Sequence, residues 1–324
     1  MNRLIKFLRR MHCIEAHQTL VLEALERIQT PAGLRLRPWL LLYHRDLLRG
    51  VLDPDVRFRD FHNHVLHVAE GFWGGGPRVA HQWYDRLEKE LGAEKFPEVA
   101  HAAGVLCHYI VDVINPLHTV NHFDEANVHF AFETSVQSNL PAIRKRATEL
   151  GLHASIRLSS QPAWLGSLMM HAAKYAHRRS AKLIADFPLQ TGLENPERAL
   201  DSDSIERLAE LYELAVSTVA RVLERAAEQF ESDSGFPIPH CHWRWAWLSA
   251  VWHVPGSAIR KYGFLRGVKR QLSQMSEEIE SRGRLVESLP AEVDIKQRVH
   301  KVYHCERRRA YQARKTIRPR RRAA

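Results

Sequence analysis

Residues 104–133 read GVLCHYIVDVINPLHTVNHFDEANVHFAFE, and their spacing decides the fold. His108 and Asp112 stand four apart, as do His129 and Glu133. On a helix each pair shares one face and can grip one cation. Pro116 ends the first helix, and the loop after it returns His118 toward the same place. Val105, Leu106, Ile110, Val113 and Ile114 leave almost no polar face on that helix, which marks it as buried and central. A lone His/carboxylate pair is more often a plain ion pair. Two pairs and an intervening His inside an apolar stretch are different, because buried charge is costly unless it is paired or binds a metal. Neutral imidazoles with carboxylates suit zinc or a similar first-row ion.

Working outward, residues 11–29 form an amphipathic helix with His17, Val21, Ala24 and Ile28 on one stripe. His17 therefore points into the core, where by itself it reads as a satisfied core histidine. Residues 38–49 give a second helix, ended by Gly50, and GVLDPD (50–55) is a good turn in its own right. FHNHVLH brings His62, His64 and His67 together, a metal-leaning signal of low specificity. GFWGGGPR (71–78) lacks the Lys and the strand-to-helix context of a phosphate-binding loop, and reads as a turn beside the cleft. Residues 78–91, 97–114, 161–187 and 203–230 are helical by periodicity, and the segment after Glu133 continues through Val136 and Leu140. His101 shares the stripe of His108 and Asp112 and reads as a core or supporting residue. Almost nothing before residue 232 reads as strand, so the domain is all-α.

Beyond Gly235 the character changes. Residues 236–266 hold Trp243, Trp245, Trp247 and Trp252, which predicts a packed aromatic cover, with a lipid-facing surface as the alternative. His240, Cys241 and His242 are adjacent, a poor arrangement for three ligands on one tetrahedral ion. Residues 268–315 read as charged helix with a break near Pro290, and the end, RKTIRPRRRAA, as disordered. The chain divides into residues 1–232 and a C-terminal extension, 233–324. The net charge of +10 sits in the tail: ten Lys/Arg against Glu306 from Lys301 onward leave the rest near +1. The basic balance thus says little about the substrate of the body. The tail suits nucleic acid or anionic lipid, with a solvated tail as the default. Four cysteines without CxxC spacing exclude a disulfide framework. The start, MNRLIKFLRRMHCIEAH, lacks an apolar run of signal-peptide length, which gives a cytoplasmic expectation. Residues 3–11 read as a frayed amphipathic end, with a membrane-surface helix as the alternative.

HYIVDVINPLH followed by HFAFE resembles the zinc-dependent phospholipase C family, whose central motif is HYxxDxxxPxH followed by HxxxE. The fungal single-strand nucleases share that fold and a closely similar motif. The resemblance covers residues 11 to about 232. It implies a multi-helix phospholipase C/nuclease-like domain with a metal cluster among its helices. It also implies one zinc held by Asp55, His64, His108 and Asp112, and a second held by His118, His129 and Glu133. Asp112 would bridge toward a third ion with His17. Asp55, with Asp53 as near rival, would orient the attacking water or accept its proton. The family also uses an N-terminal Trp as a ligand. This chain has no Trp before Trp39, so a third site departs from the family's form, and His12 offers a substitute.

The chemistry implied is hydrolysis of a phosphodiester by zinc-activated water, two or three divalent ions neutralising charge on phosphorus oxygens. The substrate would be phospholipid, with peripheral membrane contact, or single-stranded nucleic acid, which needs aromatic platforms for its bases. Sequence assigns none of Phe72, Trp73 and Phe123 to that role. A third expectation is a catalytically silent scaffold that keeps zinc for stability.

Overall fold

The computed structural model describes residues 2–121 and 123–289, the side chains of 123–126 excepted, and a few isolated positions between 301 and 312. Among the described residues every regular element is helical, with one isolated bridge, His67 to Trp73, as the only strand-like pairing. The helices are α1 (Asn2–His12), α2 (Ala16–Arg27), α3 (Pro31–Leu42), α4 (His44–Asp53), α5 (Gly76–Gly92) and α6 (Phe96–Asp112). They continue as α7 (Phe123–Glu149), α8 (Trp164–Ala185), α9 (Leu189–Glu194), α10 (Ser202–Ser234), α11 (Trp243–Trp252) and α12 (Val254–Arg282).

Helix α6 is the axis. Its residues from Ala102 to Asp112 are all buried, including His108 and Asp112, as the lack of a polar face predicts. Helix α4 crosses it closely. Gly50 lies inside α4 at this crossing and does not end a helix as its sequence context suggested. A methyl group on Gly50 would meet the His101 carbonyl oxygen at 2.2 Å, and one on Gly104 the Leu47 carbonyl oxygen at 2.1 Å. Two glycines, one per helix, let the backbones touch. The chain continues from α4 into a π-helical turn, Pro54–Phe58, closed by Arg59 in the left-handed region. Such turns interrupt regular hydrogen bonding where a side chain must be aimed.

The N-terminal segment also differs from its reading. Residues 2–12 are a separate helix, α1, with Leu4, Ile5 and Leu8 fully buried, so its apolar side is packed into the protein and not frayed. Behind α6, α10 packs along α2, α3 and α7. Asp201 caps α10 by accepting from the Ser204 N–H at 2.8 Å, and Gly235 closes its far end with φ of 73°. Glu23 of α2 is buried between Arg9, Arg144 and the Tyr212 hydroxyl, tying α1, α2, α7 and α10 together.

The C-terminal helices α11 and α12 pack against α1, α3 and α9, with Ala246, Ala250, Leu272 and Met275 in the common core. The aromatic segment, however, is not a packed cover. Trp247 packs at a tilt against Phe7, 5.4 Å between ring centroids, but Trp245 and Trp252 are 60% and 82% exposed. Helix α12 ends at Gly283; Pro290 and most of the basic tail lie outside the described residues. No helix among the described residues is long and apolar enough to cross a membrane. All four cysteines are free.

Candidate metal centre

Asp112, at the last turn of α6, is the hub. Its Oδ2 lies 2.8 Å from His64 Nδ1 and 3.0 Å from His108 Nε2. Its Oδ1 lies 3.0 Å from His17 Nε2 and 3.3 Å from His118 Nδ1. Four imidazoles from α2, α6 and two loops thus converge on one buried carboxylate. The loops are locked to each other: Leu66 N–H donates to the His118 carbonyl at 2.9 Å, and His118 Nδ1 lies 3.1 Å from the His64 carbonyl. The glycine-rich turn clamps the His64 segment from outside. The His67 N–H donates to the Trp73 carbonyl at 2.7 Å and the Gly75 N–H to the His62 carbonyl at 3.0 Å.

The eight residues singled out from sequence fall into three ligand groups. Asp55, His64 and His108 form one, with Asp55 Oδ1 at 3.5 Å from His64 Nδ1 and 3.8 Å from His108 Nε2. His118, His129 and Glu133 form the second, their ligand atoms separated by 3.0, 3.3 and 3.4 Å. His17, His108 and Asp112 form the third, which shares His108 with the first. Tetrahedral coordination at bonds of about 2.0–2.1 Å sets ligand atoms about 3.3 Å apart. The separations in the first two groups bracket that value. Asp112 Oδ2, although close to two ring nitrogens, makes no well-aligned hydrogen bond, as expected of a lone pair aimed at a shared point. The donor set of imidazoles and carboxylates therefore fits zinc.

Electrostatics without an ion show what one would replace. Burial opposes ionisation of Asp112, but His108, His118 and His64 outweigh it and hold its carboxyl well below the usual range. Burial likewise opposes charge on Glu133, and His129 and His118 hold it low. Burial would lower the pKa of His17, yet the hydrogen bond and charge of Asp112 raise it to about 10. His64 is raised to about 10 against its burial by Asp112, Asp60 and Asp55.

Several supporting residues were missed in the sequence. Asp60 faces His64 Nε2 at 3.4 Å and is itself held by the Tyr109 hydroxyl at 2.9 Å, which sets a carboxylate beside the ring. Asn115 donates to Glu133 Oε1 at 2.8 Å. Asp60 stands four before His64 in DFHNH, a spacing that could have exposed it; Asn115 carries no such signal. Asp53, the rival of Asp55, turns away and pairs with His101 at 2.7 Å. His12 does not join the centre. Its Nε2 lies 2.9 Å from the Ala250 carbonyl and its Nδ1 2.7 Å from Ser257 Oγ, both ring nitrogens being engaged elsewhere. His240 and His242 touch edge to face, and among the described residues no three-ligand group forms around Cys241. Trp73 packs against His62 and His67, and Phe72 lies beneath Lys174, while the Phe123 side chain lies outside the described residues.

A family model described as zinc dependent phospholipase C matches residues 16–182, just over half of the chain and a span that contains all eight of these residues. No curated protein matches the chain.

Proposed function

Because this chain belongs to the zinc-dependent phospholipase C family, we propose that it hydrolyses phospholipid at the bond between glycerol and phosphate. The observation that supports this most is the convergence of Asp55, His64, His108, Asp112, His118, His129 and Glu133 into adjoining ligand groups. Those residues would hold zinc, which would supply a Lewis acid to neutralise phosphate charge and to make water acidic near neutral pH.

The chain's own residues do the rest. Asp112 spans the first and third groups, one oxygen toward each, and so fixes their separation. Asn115 holds Glu133 in orientation by its hydrogen bond, and Asp60 sets a negative charge beside His64. Asp55 is the most open member, 41% exposed at its side chain where Asp112 is 1% exposed. It can therefore meet a water arriving from solvent and take its proton as that water attacks phosphorus. In Asp55→Asn we expect turnover to fall by about 10²–10⁴, with fold and most metal retained. Undiminished turnover in that variant would remove Asp55 from this role.

We also propose that α11 and α12 meet an anionic bilayer. Trp245, Leu248, Trp252, Ile259 and Tyr262 are exposed, with Arg244, Arg266, Lys269 and Arg270 exposed among them. Aromatic rings at the headgroup level with cations beside them suit an anionic lipid surface.

A further inference from the structure

A cleft of about 660 Å³ opens beside the metal centre, with His17, Asn115 and Glu133 on its lining. Leu20 of α2, Val136 of α7 and Leu211 of α10 form its floor and walls. Leu265, Val268 and Leu272, one face of α12, form its roof. Aliphatic and aromatic side chains dominate its lining. It falls within the ~300–1,000 Å³ typical of small-ligand sites.

The roof is built as a strap. Near its start, α12 is tied to α1 by Ser257 Oγ, 2.7 Å from His12 Nδ1, and by Lys261 Nζ, which donates to the Arg10 carbonyl at 3.0 Å. Further along, Gln190 of α9 donates to Ser276 Oγ at 3.3 Å. Between these ties α12 passes over the cleft. The two buried histidines at the first tie belong to the same anchor: His12 and His44 meet edge to face at 4.8 Å. The strap lies outside residues 16–182, so the family match does not account for it.

We infer that this cleft holds a hydrocarbon chain of a lipid phosphodiester whose phosphate sits at the metal centre. The continuity of the apolar lining with His17 and Glu133 places chain and phosphate in one site. A nucleotide would leave the aliphatic roof without a partner. The phosphate end of the inference rests on the proposed phospholipase reading; the chain end does not.

The test separates the two. Monoacylglycerols carry the chain but no phosphate. Their binding to the full-length, zinc-loaded protein is measured by titration calorimetry, below the concentration at which they aggregate, with acyl chains lengthened two carbons at a time. Each methylene buried should tighten binding about fourfold until the cleft is full. Val136→Trp and Val268→Trp each fill part of the cleft, one from the wall and one from the half-buried strap, so that one remains informative where the other fails to fold. Either should bring the plateau to shorter chains. Affinity independent of chain length, or variants that bind the longest chain as the native protein does, would overturn the inference. Length-dependent binding by a protein that cleaves no phosphodiester would uphold the chain site and remove the phospholipase reading instead.

Discussion

Replacing Gly104 by Ala tests whether the α4–α6 crossing builds the metal centre. In an isolated helix the change is favourable by about 1 kcal/mol. Here the new methyl carbon would lie 2.1 Å from the Leu47 carbonyl oxygen, 2.9 Å from Val51 N and 3.1 Å from Gly50 C. All three are backbone atoms, so no side chain can swing aside. A relaxed carbon–oxygen contact is about 3.3 Å or more, so α4 must retreat by roughly 1 Å. Overpacking of this kind costs about 1–3 kcal/mol and occasionally more. With contacts this short the upper end applies, and the net after the propensity gain is a loss of about 2 kcal/mol. At about 2–4 °C per kcal/mol the melting temperature should fall by about 4–8 °C, read by circular dichroism. The retreat also carries Asp55 away from His64 and His108, now at 3.5 and 3.8 Å. Zinc at that group should weaken while His118, His129 and Glu133 keep theirs. Gly263→Ala is the contrast: it sits inside α12 with nothing within 4 Å of an added methyl, and should gain up to about 1 kcal/mol. A Gly104→Ala protein as stable as the native one would refute the reasoning.

Other consequences are open to measurement. In metal-free protein, His17 and His64 are raised to about 10, above about 6.5 in the unfolded chain. Their contribution is complete below about 6.5 and is lost as pH rises toward 10. Asp112, held low, contributes above its unfolded value of about 3.9 and loses that as pH falls further. Chelator-treated protein should therefore melt highest between these limits; melting that is flat from pH 6 to 10 would contradict the assignment. Zinc uptake near pH 7 should expel about two protons, those of His17 and His64, seen by calorimetry in buffers of different ionisation enthalpy. Exchanging Trp245 and Trp252 for Ser should weaken sedimentation with vesicles of anionic lipid. Undiminished binding would place the lipid contact elsewhere.

How much of this was legible follows from the range of each interaction. The all-α class and the centrality of α6 were visible because apolar periodicity is local, as are the four-residue spacings of His108/Asp112 and His129/Glu133. The placing of Asp55 over Asp53 was read from the family resemblance, and the structure shows Asp55 facing His64 while Asp53 pairs with His101. Gly50 was misread because a glycine between an apolar run and Asp-Pro-Asp looks like a helix end. Its actual reason for being glycine, the carbonyl of His101, lies on another helix. The burial of α1 was hidden in the same way: Leu4, Ile5 and Leu8 are sheltered by helices that follow. The tryptophans of α11 show the reverse limit, since sequence shows how much aromatic surface exists but not which side of it faces the protein.

Metal content tests the central claim most directly. Full-length protein purified without chelator or affinity tag, and measured by elemental analysis, should carry two or three zinc ions per chain. Folded protein that carries none, and takes up none when zinc is added, would mean that Asp112 and its four histidines are a polar core held together by protons alone.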